Sequence, residues 1–309
     1  MIGIVFSRDR ALQLDATLRS FLFHCEDPEQ IQIYVLYMAT SPDHANQYSH
    51  LALEYKKSLS IYFIPQNNFR SNLLKLLLPI DEQGIWNKFR HQIIYLGPSF
   101  GFLNFYTSSK EPFSHVLFLV DDNLFMRDFR LSSIESTLSV NPDALGFSLR
   151  LGANTTYCYA KNSVQSLPNF TLAEEGVLKF DWTMGEFDFN YPLEISSSIY
   201  RWRQLWNLLN RLPFHNPNTL EGRMAVSKRY FKKTHPFLLC SENSIAFCNP
   251  INKVQTEWDN RSGSNPKYSP DELANLYNQG YRIDVNAYTG FIPNGCHQEV
   301  DLFLTRDSY

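Results

Sequence analysis

The run His115-Val116-Leu117-Phe118-Leu119-Val120 passes directly into Asp121-Asp122-Asn123. An almost unbroken apolar, β-favouring segment predicts a strand buried on both faces, as in the middle of a parallel sheet. In open α/β sheets the ligand crevice lies outside the carboxyl ends of the strands, so a buried strand ending in two carboxylates delivers hard oxygen ligands to that crevice. Asp and Asn in such a place also make ordinary strand-to-turn junctions by bonding their own backbone, and the motif alone does not separate the two readings.

The flanking sequence carries the same architecture. Ile2 to Phe6 reads as a first strand, followed by Ala11, Leu14, Leu18, Phe21 and Leu22 at helical spacing. Ile31 to Leu36 gives a second strand, and Ser41-Pro42-Asp43 a helix start for a helix ending near Lys57. Leu59 to Ile64 is a third strand, Phe69 to Leu78 a helix, and a further helical region begins at about Ile85 and breaks near Gly97-Pro98. Leu131 to Val140 reads as a helix and Ala144 to Leu151 as a strand, so the alternation of right-handed βαβ units persists to about residue 152.

Beyond it, Gly152 to Tyr191 is rich in Asn, Thr, Tyr, Phe and Gly without periodicity, which predicts long loops carrying aromatics. Tyr200 to Leu209 is helical with Trp202 and Trp206 on one core-facing stripe; Pro217 to Phe231 predicts a helix and Phe237 to Phe247 a strand pair. Ser269-Pro270-Asp271-Glu272 is a capping box closed by Gly280, and Val300 to Leu304 a last strand. No linker separates independent units. The expectation is one α/β domain over residues 1–309, with a ligand-binding half at 1–152 and a loop-rich half at 153–309.

Composition narrows the function classes. A formal charge of −3, from 28 basic and 31 acidic side chains, gives no broad footprint for nucleic acid. The five cysteines form no C-x-x-C pair or zinc-type grouping and read as core residues of a reducing compartment. No segment approaches the roughly 18 apolar residues of a membrane helix, and the N-terminus lacks a signal-peptide pattern. These features predict a cytoplasmic protein without an integral membrane segment.

Three other groups could carry chemistry. Ser7-Arg8-Asp9-Arg10 joins the first strand to the first helix, where backbone N–H groups and two arginines could meet an anionic nucleotide; a charged helix start with Asp9 complementing the dipole fits the spacing equally. No G-x-G-x-x-G or Walker-type pattern is present there. His297 shares a strand face with Glu299 and becomes a metal ligand only if the fold carries it to Asp122. Asp181, Glu186, Asp188 and Glu194 include possible general bases, most of them ordinary surface acids.

Taken in order, Phe6 to Arg10 with Gln13-Leu14, Phe118 to Asn123, Phe147 to Gly152, Tyr191-Pro192-Leu193, Pro217 to Gly222, Asn249 to Gln255 and His297-Gln298-Glu299 resemble a GT-A-type glycosyltransferase, in particular a group of bacterial glycosyltransferase-like proteins. The resemblance implies a GT-A-like, Rossmann-like, mostly parallel central sheet with flanking helices and a C-terminal loop-rich acceptor region. It implies a nucleotide-sugar donor held near Ser7, Arg8, Arg10 and Asp121, and a glycan or glycoconjugate acceptor, as in polysaccharide biosynthesis. It also implies a divalent metal, Mn²⁺ or Mg²⁺, on Asp122 and His297. Two departures stand out. The usual Asp-x-Asp ends here in Asn123, and Ser196-Ser197-Ser198 stands where relatives carry an Asp-Gly-His group, leaving Glu194 as the nearby candidate base. A sugar-phosphate nucleotidyltransferase and a non-catalytic glycan- or nucleotide-binding relative are the alternatives.

Overall fold

From the N-terminus, β1 (Ile2–Arg8) leads into α1 (Ala11–His24), β2 (Gln32–Met38) into α2 (Pro42–Tyr55), and β3 (Ile61–Pro65) into α3 (Phe69–Leu77). Ser41 caps α2 by accepting the His44 N–H at 3.2 Å, with Pro42 in the first turn. Then come β4 (His115–Val120), the short β5 (Asn123–Phe125), α4 (Leu131–Val140) and β6 (Ala144–Ser148). The computed structural model describes residues 1–56, 60–78, 111–254, 261–262 and 265–306. The helix expected from about Ile85 and its break near Gly97-Pro98 lie outside the described residues, as do Lys57 and Leu59.

The second half departs from the expected loops. It contains two short hairpins, β7 (Tyr157–Cys158) with β8 (Ser163–Val164) and β9 (Thr171–Glu174) with β10 (Val177–Asp181), the latter turning at Gly176 with φ +74°. Next come β11 (Ser197–Arg201), α5 (Trp202–Leu209), α6 (Pro217–Ser227), β12 (Phe237–Ser241) and β13 (Ala246–Cys248). The chain closes with α7 (Pro270–Asn278), capped by Ser269, then β14 (Tyr281–Ile283) and β15 (Leu304–Arg306). β12 and β13 were expected to pair with each other; they join different sheets.

Nine strands form the main sheet in the order β3-β2-β1-β4-β11-β6-β12-β10-β9. β11 pairs antiparallel with both neighbours, and β10 likewise; all other pairings are parallel. The expected α/β architecture, a mostly parallel sheet with flanking helices, is therefore present. Side chains alternate across it. Ile2, Ile4, Phe6, Val116 and Phe118 enter one apolar cluster, and Val5, Leu117 and Leu119 enter the other. Burial on both faces is why these strands read as continuous apolar runs. Trp202 and Trp206 stack at 5.8 Å inside the cluster on the α5 side, as core residues. None of the described helices is long and apolar enough to cross a membrane.

The chain builds outward from β1 to β2 and β3, then returns to place β4 on the other side of β1. That reversal opens a crevice between the carboxyl ends of β1 and β4, the position where doubly wound sheets take ligands.

Candidate active site

The two segments at that crevice are Ser7 to Arg10 after β1 and Asp121 to Asn123 after β4, held in register by the parallel pairing of Phe6 with Val120. Asp121 is buried and accepts the Arg8 N–H at 3.1 Å and Arg10 Nη1 at 3.0 Å. The same Nη1 reaches Asp122 Oδ2 at 3.2 Å, and Arg10 Nη2 donates to the Asn252 carbonyl at 2.5 Å. Burial by itself would lower the Arg10 pKa, but Asp121 and then Asp122 outweigh it and raise it. Burial pushes the Asp122 carboxyl up to about 6, against the pull of Arg10 and with the push of Asp121. Arg10, expected to face a donor, is turned onto the two carboxylates; Arg8 is the arginine left exposed at the crevice.

The turn itself is pinned from β2 and α2. Ser7 Oγ and the Tyr48 hydroxyl lie 2.6 Å apart, and that hydroxyl also accepts the Arg10 N–H. Asp9 holds a positive φ of 54° and accepts both the Thr40 N–H and the Thr40 hydroxyl, at 2.8 and 2.9 Å. A non-glycine residue in that region is strained and persists where its surroundings fix it. Asn123 turns its amide back to accept the Val120 N–H at 2.9 Å, the local closure anticipated for an Asn in this position.

His297 comes to the same end of the fold through a second, short ribbon. β13 pairs antiparallel with β5 through Cys248 and Asn123, and Cys248 bridges in parallel to His297. Asn249 N–H also donates to the Asp122 carbonyl at 2.8 Å. Burial, with the Arg150 charge adding to it, pushes the His297 imidazole down to about 3, so the ring is neutral and can act as a ligand. Among the described residues no group of three His, Cys, Asp or Glu side chains gathers as a closed metal cage.

Glu194 is fully buried. Its carboxylate accepts from the Ser196 N–H, the Ser196 hydroxyl at 2.6 Å, the Ser197 N–H and the Ser198 hydroxyl, and lies 3.7 Å from Arg150 Nε. The three serines thus form a turn wrapped around this carboxylate. Arg150, beyond the end of β6, is 2% exposed and is a positive charge set among Asp188, Glu194 and Glu221. Among the described residues, Arg150 Nε, Asp188 Oδ2, Ser148 Oγ and Ser197 Oγ have no hydrogen-bond partner. Glu221, on the first turns of α6, accepts the Ile195 N–H; burial pushes its carboxyl up to about 7, with Arg150 opposing and Glu194 reinforcing. A carboxylate that titrates near neutrality is suited to proton transfer.

Sequence reasoning marked the stretches holding Arg150, Glu221 and Asn252 without giving those residues a role. The available indication for Arg150 was a lone arginine directly after an apolar strand, where a buried charge demands a partner. Nothing local in Pro217 to Gly222 shows that Glu221 is drawn under the Ile195 backbone.

No family model matches the chain. A curated relative, the bifunctional glycosyltransferase pgtA of Dictyostelium discoideum, is 24% identical over 283 residues, covering 83% of this chain and 32% of the relative. The chain therefore spans about a third of that relative's length. Solved structures with similarity include S. aureus TarS, at a TM-score of 0.48 and 12% identity over 81% of this chain and 37% of that one. TarS 1-349 in complex with UDP gives a TM-score of 0.43 and 14% identity, over 81% and 61% of the two chains. By sequence, over most of its length, this chain is a relative of a glycosyltransferase.

Proposed function

We propose that the chain is a metal-dependent glycosyltransferase that moves a sugar from a nucleotide-sugar donor to a hydroxyl of a glycan or glycoconjugate. The observation that carries this reading is the pair Asp121 and Asp122 at the carboxyl end of a buried strand, facing the Ser7 to Arg10 turn where the strand order reverses. The sequence relation to a glycosyltransferase supports it. In this reading exposed Arg8 meets the donor diphosphate, Ser7 and Arg10 shape the turn beneath it, and Asp121 faces the nucleoside.

Asp122 and His297 would hold the divalent cation. One carboxylate and one neutral imidazole suit an ion that takes its remaining oxygens from the donor and water, so a closed protein cage is not required. Bound there, the ion would supply charge stabilisation to the departing diphosphate. Glu194, expected as the base, has its oxygens occupied by the serine turn and Arg150, which suits it to hold that arginine in place. The proton acceptor in our reading is Glu221. It would take the proton of the acceptor hydroxyl as that oxygen attacks the anomeric carbon and the bond to the nucleoside diphosphate breaks.

A non-catalytic binding protein of the same fold is the competing reading, favoured by the serines that replace the Asp-Gly-His group. Thermal unfolding with UDP-, GDP-, CMP- and dTDP-sugars, each with Mn²⁺ or EDTA, separates the two. A donor at a hundredfold its Kd stabilises the native chain by about 3 kcal/mol. We expect a metal-dependent rise for one nucleotide class, abolished in Asp122→Asn, and release of the nucleotide once an acceptor is supplied. Stabilisation without release under any acceptor would favour the binding protein, and no stabilisation by any donor would remove the donor site.

A further inference from the structure

The chain as a whole is slightly acidic, yet residues 222–241 contain no Asp or Glu and carry Arg223, Lys228, Arg229, Lys232 and Lys233. The fold sorts these five. Lys228 is half-buried and its Nζ donates to the Asn190 carbonyl at 2.7 Å, a structural contact. Arg223, Arg229, Lys232 and Lys233 are exposed, and none makes an ion pair among the described residues. Four unneutralised cations within eleven residues are an uncommon concentration for a chain with this balance of charge.

Apolar groups lie among them. On α6, Leu220, Met224 and Ser227 face the core, so Arg223 and Val226 fall on the outer side, and Tyr230 continues that stripe in the one-turn 3-10 helix Lys228–Tyr230. Val226 and Tyr230 are 64% and 65% exposed. The Arg229 guanidinium stacks on the Tyr230 ring at 5.0 Å and Nη2 donates to its hydroxyl at 3.0 Å, which holds the pair flat against the surface. Phe231 turns inward, and its carbonyl accepts the Thr234 and His235 N–H groups at 3.1 and 2.7 Å, so the lysine pair sits on a closed turn.

We propose that this face, Arg223, Val226, Arg229, Tyr230, Lys232 and Lys233, is a docking surface for an anionic lipid bilayer. Cations ringing an aliphatic side chain and a tyrosine match the two layers of a membrane interface. The charges meet headgroup phosphates and carboxylates, while the apolar groups enter the boundary beneath them. A polyanion such as nucleic acid would use the charges and leave Val226 in water. A second copy of the chain docking face to face would bring like charges together. The surface is peripheral and stands apart from sugar transfer, so it survives or fails independently of the proposed activity. If both hold, α6 links them, since Glu221 on its first turns faces the Arg150 cluster and its outer face would rest on the bilayer.

Sedimentation of the full chain with phosphatidylcholine vesicles, with and without phosphatidylglycerol, tests the surface. We expect binding to the anionic vesicles alone, weakening as salt is raised. Each neutralised cation should weaken partitioning by about fivefold, so Lys232→Gln with Lys233→Gln should reduce it markedly, and Arg229→Glu, Lys232→Glu and Lys233→Glu together should abolish it. Tyr230→Ser should weaken binding with the charges intact, which separates insertion from simple attraction. All these positions are exposed, and unchanged melting temperatures would confirm that the variants fold. Equal sedimentation with neutral and anionic vesicles, undiminished binding by the triple variant, or binding to an RNA oligonucleotide but not to vesicles would each overturn the proposal.

Discussion

Arg10 is the counter-ion that lets two adjacent carboxylates occupy the end of a buried strand. Its guanidinium is within 3.2 Å of both, and the three side chains are largely shielded from water. Removing one partner of such a group leaves uncompensated charge, so Arg10→Ala should cost about 3 kcal/mol or more in urea unfolding. Arg10→Lys should restore part of it, because a point charge can serve one carboxylate and not the fork of two. An Arg10→Ala chain as stable as the parent would show that the carboxylates are solvated. At Glu221 the prediction concerns pH. Its carboxyl is raised from 4.5 to about 7 in the folded chain, so between those values the native state holds a proton that the unfolded state has released. The contribution of Glu221 to stability should therefore fall as pH rises through that window, by up to about 3 kcal/mol, and level off above it; it is read as the difference between parent and variant, because Asp122 and His297 titrate in the same range. Glu221→Gln should remove this contribution, so that the parent-minus-variant difference in stability shrinks as pH rises across the window, and, if Glu221 is the base, lower turnover sharply with donor binding unchanged. The parental slope persisting in the variant would remove Glu221 from the account.

At the level of elements, β11 is what the sequence concealed and the site depends on. It begins Ser197-Ser198, so it lacks the apolar run that announced β1, β2 and β4, and the expected helix was drawn from Tyr200 over its last two residues. Two buried neighbours supply what its own side chains do not: it pairs antiparallel with β4 on one side and β6 on the other. The Glu194 turn that enters it was invisible for the same reason, because serines wrapped around a carboxylate read locally as loop. By contrast, the Asp-Asp strand, the Ser41 cap and the helix over Leu131–Val140 were legible, each being specified by its own residues or immediate neighbours. β9 was missed because it lies at the sheet edge with mostly exposed side chains, and β10 because its half-buried, mixed side chains take their order from β12. The close approach of β11 to β6 gives a test. A Cβ at Gly146 would lie 2.6 Å from the Ile199 carbonyl oxygen and 2.8 Å from the Tyr200 ring. Gly146→Ala should cost about 1–3 kcal/mol in chemical denaturation through forced separation of these strands. A neutral substitution would mean that β11 is free to shift.

Across the whole molecule, residues 1–152, expected from the sequence as a ligand-binding half, and the half that follows do not form separate layers. β11, from the second half, lies between β4 and β6 of the first, and β12 then pairs with β6, so the hydrogen-bond ladder of either half is completed by the other. Both apolar clusters also draw on the two halves: Leu14 and Phe247 share one, and Phe118 and Leu209 share the other. Neither half could leave without exposing both faces of the sheet, so we predict one cooperative unfolding transition. Leu14→Ala and Leu209→Ala, fully buried on opposite faces, should each destabilise by about 2–5 kcal/mol. The informative quantity is which signal moves. Trp182, Trp202 and Trp206 lie in the cluster on the α5 side, so with the other two tryptophans, Trp86 and Trp258, replaced by Phe in every chain compared, tryptophan fluorescence reports that face, whereas far-UV circular dichroism reports the whole chain. In a single unit, Leu14→Ala displaces the fluorescence transition as far as the dichroism transition, although no tryptophan of the described residues lies in its cluster. If fluorescence stayed in place while dichroism moved, the faces would be unfolding separately and the sheet would not couple them. That result would also detach the Asp121 and Asp122 crevice energetically from the Glu221 cluster, which a shared active site could not tolerate.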